Sequence, residues 1–154
     1  MIKNNKLLIA SLIVAAIVNL ISLCILNFDF LPDFILLTLL FWLFTSSNVL
    51  SISIFWSVGL LTDIFLGDLL GQNALTYASC YFMAQFYKTK IMLTNNFQLS
   101  IYIFFIFLGA QIIMLFTNLM HELRYPGLSY FLQSLSAGLI CYLWSTFRSF
   151  KFDH

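Results

Sequence analysis

Apolar residues run along this chain in long blocks separated by short polar breaks. Leu7–Leu26 is the first block, with Lys3 and Lys6 ahead of it. Asn27–Asp33 follows with two acids and a proline, which reads as a loop. Phe34–Leu66 holds one charge, Asp63, and is too long for a single ordinary span. Its only polar break, Thr45-Ser46-Ser47-Asn48, divides the region into spans of about Leu31–Phe44 and Leu50–Leu66. Both are short for a full crossing, which little tilt or local thinning of a bilayer would accommodate. Gly67–Asn73 is the next connection, and Ala74–Tyr87 follows, its helix expected from near Leu70. Lys88–Asn96 reads as a polar loop. Phe97–Thr117 is a long, Phe-rich block, Asn118–Gly127 is polar, Leu128–Phe147 is the last block, and Arg148–His154 forms a tail. The pattern predicts one domain of six helices, with spans near 7–26, 31–44, 50–66, 70–87, 97–117 and 128–147 and no internal repeat.

Composition decides what solvent these helices face. Hydrophobic residues make up 62% of the 154 residues and charged ones 8%. A soluble domain carries about 25% charged residues and needs them to cover its surface. Disorder requires the opposite bias, low hydrophobicity with high charge. The expected class is therefore an all-α integral membrane protein whose helices are apolar nearly all round. The first block exceeds the 7–15 residues usual for a cleaved signal sequence, so it reads as a retained helix. A lipoprotein-type cleavage before Cys24 would want a small residue where Leu23 stands. The net charge of +1 offers no basic surface for nucleic acid.

Charge placement gives an orientation. With six spans both termini share one side, and Lys3, Lys6, Lys88, Lys90, Arg148 and Lys151 fall there. Arg124 alone falls on the other. The excess of cations marks the cytoplasmic side, so both termini are expected inside. Asp29, Asp33, Asp68 and Glu122 fall outside. Were Phe34–Leu66 one helix, Lys88 and Lys90 would move opposite Lys3 and Lys6 and the bias would weaken to a near draw.

Few residues can carry chemistry. Asp63 is ionisable within a span, about one turn from its outer end, and such a residue is costly enough to need a reason. Two readings stand: its carboxylate reaches the interface or accepts hydrogen bonds from a neighbouring helix end, or it contacts a partner or ligand. Gly67 and Gly71 form a small-xxx-small pattern, which at mid-span would mean close helix contact. Here it lies at a turn, where unusual dihedrals or close backbone approach explain it better. Pro32-Asp33 resembles a helix start, with proline in the first turn and a carboxylate near the N-terminus. Trp42 and Trp56 fit an interfacial belt or packing. Cys24, Cys80 and Cys141 sit in apolar runs and read as small buried hydrophobes. No metal, cofactor or nucleophile motif is present, and His121-Glu122 are adjacent helix residues that point apart. Asn19, Gln85 and Gln111 are the only polar additions to Asp63 for a proton pathway, too few for a pump.

The middle of the chain carries Pro32-Asp33-Phe34-Ile35-Leu36-Leu37, Phe41-Trp42, Gly59-Leu60-Leu61-Thr62-Asp63, Gly67, and Leu70-Gly71-Gln72-Asn73-Ala74-Leu75. Together they resemble the MreD family of rod shape-determining proteins. These motifs occupy about Pro32–Leu75, and the rest of the chain agrees in length and hydropathy. The resemblance implies a bacterial inner-membrane scaffold of the cell-elongation machinery, without enzymatic activity or cofactor. The implied partner is an MreC-like single-span protein with a periplasmic domain. A RodA-like glycosyltransferase, a class B penicillin-binding transpeptidase and the actin-like MreB would stand alongside, and a second copy of the chain is a further candidate partner. The implied fold is similar to the S components of energy-coupling-factor transporters. Pro32, Asp33, Trp42, Gly59, Asp63, Gly67 and Gly71 become the candidate partner or structural residues. The competing function is a true S component that captures a small molecule. It would need small residues on the first helix to meet an energising subunit, and Ser11-x3-Ala15 is a faint version of that surface.

Overall fold

The computed structural model describes residues 2–22, 31–45, 50–66, 69–91, 96–122 and 131–152. They form six α-helices and no strand: α1 Ile2–Ile21, α2 Phe34–Thr45, α3 Ile52–Leu66, α4 Gln72–Ile91, α5 Asn96–Glu122 and α6 Leu132–Phe152. The helices run past the apolar blocks in several places. α4 continues through Lys88-Thr89-Lys90, so the expected loop at Lys88–Asn96 begins as helix, and Lys88 is buried. α5 continues through Asn118 to Glu122, and α6 takes in Arg148 and Lys151 of the expected tail. Hydropathy marks where apolar surroundings end, whereas the hydrogen-bonded ladder stops only at a breaker. Lys, Arg and Glu are good helix formers and do not stop it.

Two helices begin at marked points. α2 starts directly after Asp33, whose carbonyl accepts the Leu37 N–H at 3.0 Å. Asp33 is thus the N-cap, and Pro32 stands one residue outside the helix rather than in its first turn. Its ring is fully buried there. α4 starts after Gly71, whose carbonyl accepts the Leu75 N–H at 2.9 Å. Gly71 has φ of 99°, a conformation costly for any residue with a Cβ.

α2 and α4 lie at the centre. α1 packs on α2, α2 on α4, and α4 also meets α3 and α5, with α6 against α5. α2 buries Ile35, Leu36, Leu39, Leu40 and Leu43. α4 buries the small or polar set Asn73, Ala74, Thr76, Cys80 and Ala84 together with Tyr77. Side chains this short let three neighbours approach one helix. The α5–α6 contact follows the same rule, with Ser134, Ala137 and Cys141 of α6 buried against α5. Consecutive helices alternate in direction. Asn19 near the end of α1 meets the start of α2, Asp63 near the end of α3 meets the start of α4, and Asn118 near the end of α5 meets Gln72. These groups gather at one end of the bundle, called the capped end below.

Phe97–Met120 in α5 is long and apolar enough to cross a membrane by itself. Lys6–Ile21, Phe34–Thr45, Ile52–Leu66 and Leu132–Leu143 are shorter apolar helices.

Candidate functional site

The capped end is built around two carboxylates. Asp63 lies one turn before the end of α3 and is 1% exposed. Its Oδ1 accepts the Asn73 N–H at 2.8 Å, and its Oδ2 accepts the Gly71 N–H at 2.8 Å and the Ala74 N–H at 3.4 Å. An N-cap side chain normally satisfies the free N–H groups of the second and third helical residues. Gly71 has no side chain to do so. Asp63 supplies the missing acceptor from the neighbouring helix, and its negative charge sits at the positive end of the α4 dipole. The same charge lies near the negative end of its own helix, so α4 is what makes the position tolerable.

Gly59, one turn before Asp63 on the same face of α3, creates the approach. A Cβ there would stand 2.6 Å from Ala74 Cα and 2.7 Å from the Asn73 carbonyl oxygen. Only a residue without a side chain lets the start of α4 come this close, and only at this closeness does the short Asp63 side chain reach three backbone N–H groups.

Asp33 works within its own helix and across two others. Its Oδ1 accepts the Ile35 and Leu36 N–H groups at 3.0 and 3.4 Å and the Asn19 side-chain amide at 2.7 Å. The Asn19 amide oxygen in turn accepts the Phe34 N–H at 3.0 Å. The Tyr77 hydroxyl donates to Asp33 Oδ2. One carboxylate therefore joins α1, α2 and α4. Thr62 lies beside the Tyr77 hydroxyl, so the two carboxylate centres are neighbours. A further bond, from the Gln72 side-chain amide to Asn118 Oδ1 at 2.9 Å, ties α4 to α5. Tyr77 is 1% exposed. Tyr77→Phe is expected to destabilise the purified protein by about 1–2 kcal/mol in denaturant unfolding, because it removes the hydroxyl that donates to the Asp33 carboxylate.

The sequence-derived residues thus fall in three groups. Pro32, Asp33, Gly59, Asp63 and Gly71 come together at the capped end. Trp42 lies elsewhere, half-buried on α2, where its indole N–H donates to Ser11 Oγ at 3.0 Å. Gly67 lies outside the described residues, as do Cys24 and Asp68. Asn19 joins Asp33, whereas Gln85 bonds Tyr81 and Gln111 bonds Gln133. These amides do not line up with Asp63 as a proton pathway. Thr62 and Asn73 stand in the sequence only inside the family-like motifs, and no local spacing singles out Tyr77 or Asn118.

Chemically the site is a set of satisfied acceptors. Each carboxylate faces backbone N–H groups, an arrangement that holds helix ends in register. Among the described residues no group of three His, Cys, Asp or Glu could hold a metal ion. No curated protein and no solved structure matches the chain. The family model described as rod shape-determining protein MreD matches residues 1–151, almost the entire length. With Asp33, Gly59, Asp63 and Gly71 in one structural unit and the match running past that unit on both sides, the chain belongs to the MreD family of rod shape-determining proteins.

Proposed function

We propose that this chain is a non-enzymatic subunit of the bacterial cell-elongation complex, crossing the inner membrane six times with both termini in the cytoplasm. The observation that carries the reading is the apolar exterior. Leu, Ile and Phe side chains stand exposed along the helices, among them Leu7, Ile13, Phe65, Phe82, Phe116 and Leu139. The interior is apolar too, with Asp63, Asn73, Thr76, Gln111 and Ser134 set among buried Leu, Ile and Phe. A water-soluble protein could not carry so much contiguous apolar surface, and a lipid solvent requires it. The capped end then faces the periplasm, opposite the cation-rich ends.

In lipid, apolar burial does little to join helices. Association depends on close packing of small residues and on satisfied hydrogen bonds. The capped end provides both, so the bundle is a firm framework, and an MreC-like single-span protein would dock by helix packing on its apolar exterior. The S-component alternative loses its supporting surface, because Ala15 is buried and Ser11 is bonded to Trp42, with α1 packed on α2.

The test is purification of the tagged chain from its own cells in mild detergent. Stoichiometric recovery of a single-span protein with a periplasmic domain is the expected result. Recovery with an ATPase pair and a bound vitamin, or turnover of a substrate by the isolated chain, would overturn the reading.

A further inference from the structure

The helices differ in length, and the difference is expressed at one end only. α3 has 15 residues, which at ~1.5 Å each gives about 22 Å. α4 and α6 have 20 and 21, enough for the ~30 Å of a bilayer core. At the capped end the helices are fixed in register with their neighbours. Asp33 joins the start of α2 to Asn19 and Tyr77, and Asp63 joins the end of α3 to the start of α4. The deficit of α3 therefore falls at its opposite end, where Leu50 and Ser51 precede the helix.

The exposed surface of α3 changes character at the same place. Towards the capped end its exposed residues are Leu61, Ile64, Phe65 and Leu66. Towards the other end they are Ser53, Trp56 and Ser57, with Ser51 exposed just before the helix. Trp56 is 49% exposed. Thr45, at the matching end of α2, is exposed as well. Hydroxyl groups are poorly placed against hydrocarbon, and tryptophan favours the headgroup region.

Resting on the membrane-crossing reading above, we propose that the short α3 thins the inner leaflet on its side of the bundle, drawing the cytoplasmic headgroup layer up to Ser53 and towards Trp56 and Ser57. The occupant of this surface is the lipid headgroup layer with its water. The change from apolar to polar runs along the α3 axis. A docked helix would call for one stripe along the full length, whereas a headgroup layer calls for a boundary at one depth, which is what α3 presents. A bilayer thinned in this way accommodates a partner whose own apolar segment is short, since mismatch sorts neighbouring spans.

The experiment places a nitroxide label at Ser53→Cys or at Leu139→Cys, with the native cysteines replaced by alanine. The full chain is reconstituted in vesicles of phosphatidylethanolamine and phosphatidylglycerol. Collision with oxygen is compared with collision with a water-soluble nickel chelate. In a flat bilayer the Ser53 position would lie roughly 10 Å inside the hydrocarbon. The expected result is a nickel-to-oxygen ratio several-fold higher at Ser53 than at Leu139, an exposed position on α6. Equal, oxygen-dominated ratios would overturn the proposal, and so would a Ser53 label shielded from both reagents, which would mean protein covers it. High nickel collision at both positions would overturn the membrane-crossing reading itself. If the alanine replacements prevent folding, Trp56 serves as the probe in a Trp42→Phe, Trp144→Phe chain. Quenching by headgroup-labelled rather than chain-labelled lipid is then expected, and the reverse order would overturn the proposal.

Discussion

Replacing Asp63 by alanine is expected to destabilise the protein by about 3–5 kcal/mol, since it strips the acceptor from buried backbone N–H groups, each costing about 1–3 kcal/mol when left unpaired. Three N–H groups depend on this carboxylate, from Gly71, Asn73 and Ala74. Gly71 cannot substitute, having no side chain, and Asp63 is shut away from solvent. The loss is felt at the start of α4, the helix on which α2, α3 and α5 pack. Asp63→Asn should retain little of the benefit. Its single amide oxygen can serve one side of the site, and its NH2 group would face the N–H groups of α4. Denaturant unfolding of the detergent-purified protein measures the change, and abundance in cells should fall in step. A midpoint unmoved by Asp63→Ala would show that α4 is capped by something other than α3.

The same site shows what a linear reading can and cannot reach. Asp63 stood out because an ionisable group in an apolar run has to be compensated, and hydrogen bonding to a neighbouring helix end was one of its two readings. Gly71 was legible as a backbone position at a turn, and its φ of 99° is the reason. Asp33 was legible as a charge at a helix start. Gly59 was noticed only inside a family-like motif, because its role is set by the Ala74 backbone, which approaches from another helix. Tyr77 could not be told from the other tyrosines, since its partner Asp33 lies 44 residues away. Helix order was readable from the apolar blocks. Helix ends were not, because a lysine or glutamate that leaves hydrocarbon can remain in the helical ladder, as Lys88 does. α4, with Lys88, Thr89 and Lys90 near its end, reads in the sequence as an ordinary span followed by a loop and is instead a helix on which three others pack.

Gly59→Ala is expected to destabilise by about 2–3 kcal/mol, the upper part of the range for overpacked sites. The added methyl group would meet Ala74 Cα, Ala74 N and the Asn73 carbonyl oxygen at 2.6–2.8 Å. These are backbone atoms at the first turn of α4, so no side-chain rotation relieves the clash and α4 must move away from α3. That displacement also draws the Asn73 and Ala74 N–H groups off Asp63. The two residues therefore act on one junction, and their effects should not add. In a double-mutant cycle with Asp63→Asn, the combined variant should lose at least about 1 kcal/mol less than the sum of the two single losses. Once α4 has been pushed off by Gly59→Ala, the carboxylate has little left to hold. Additive losses would instead mean that close approach and capping are separate features of the fold, and that the register of α3 against α4 does not depend on their acting together.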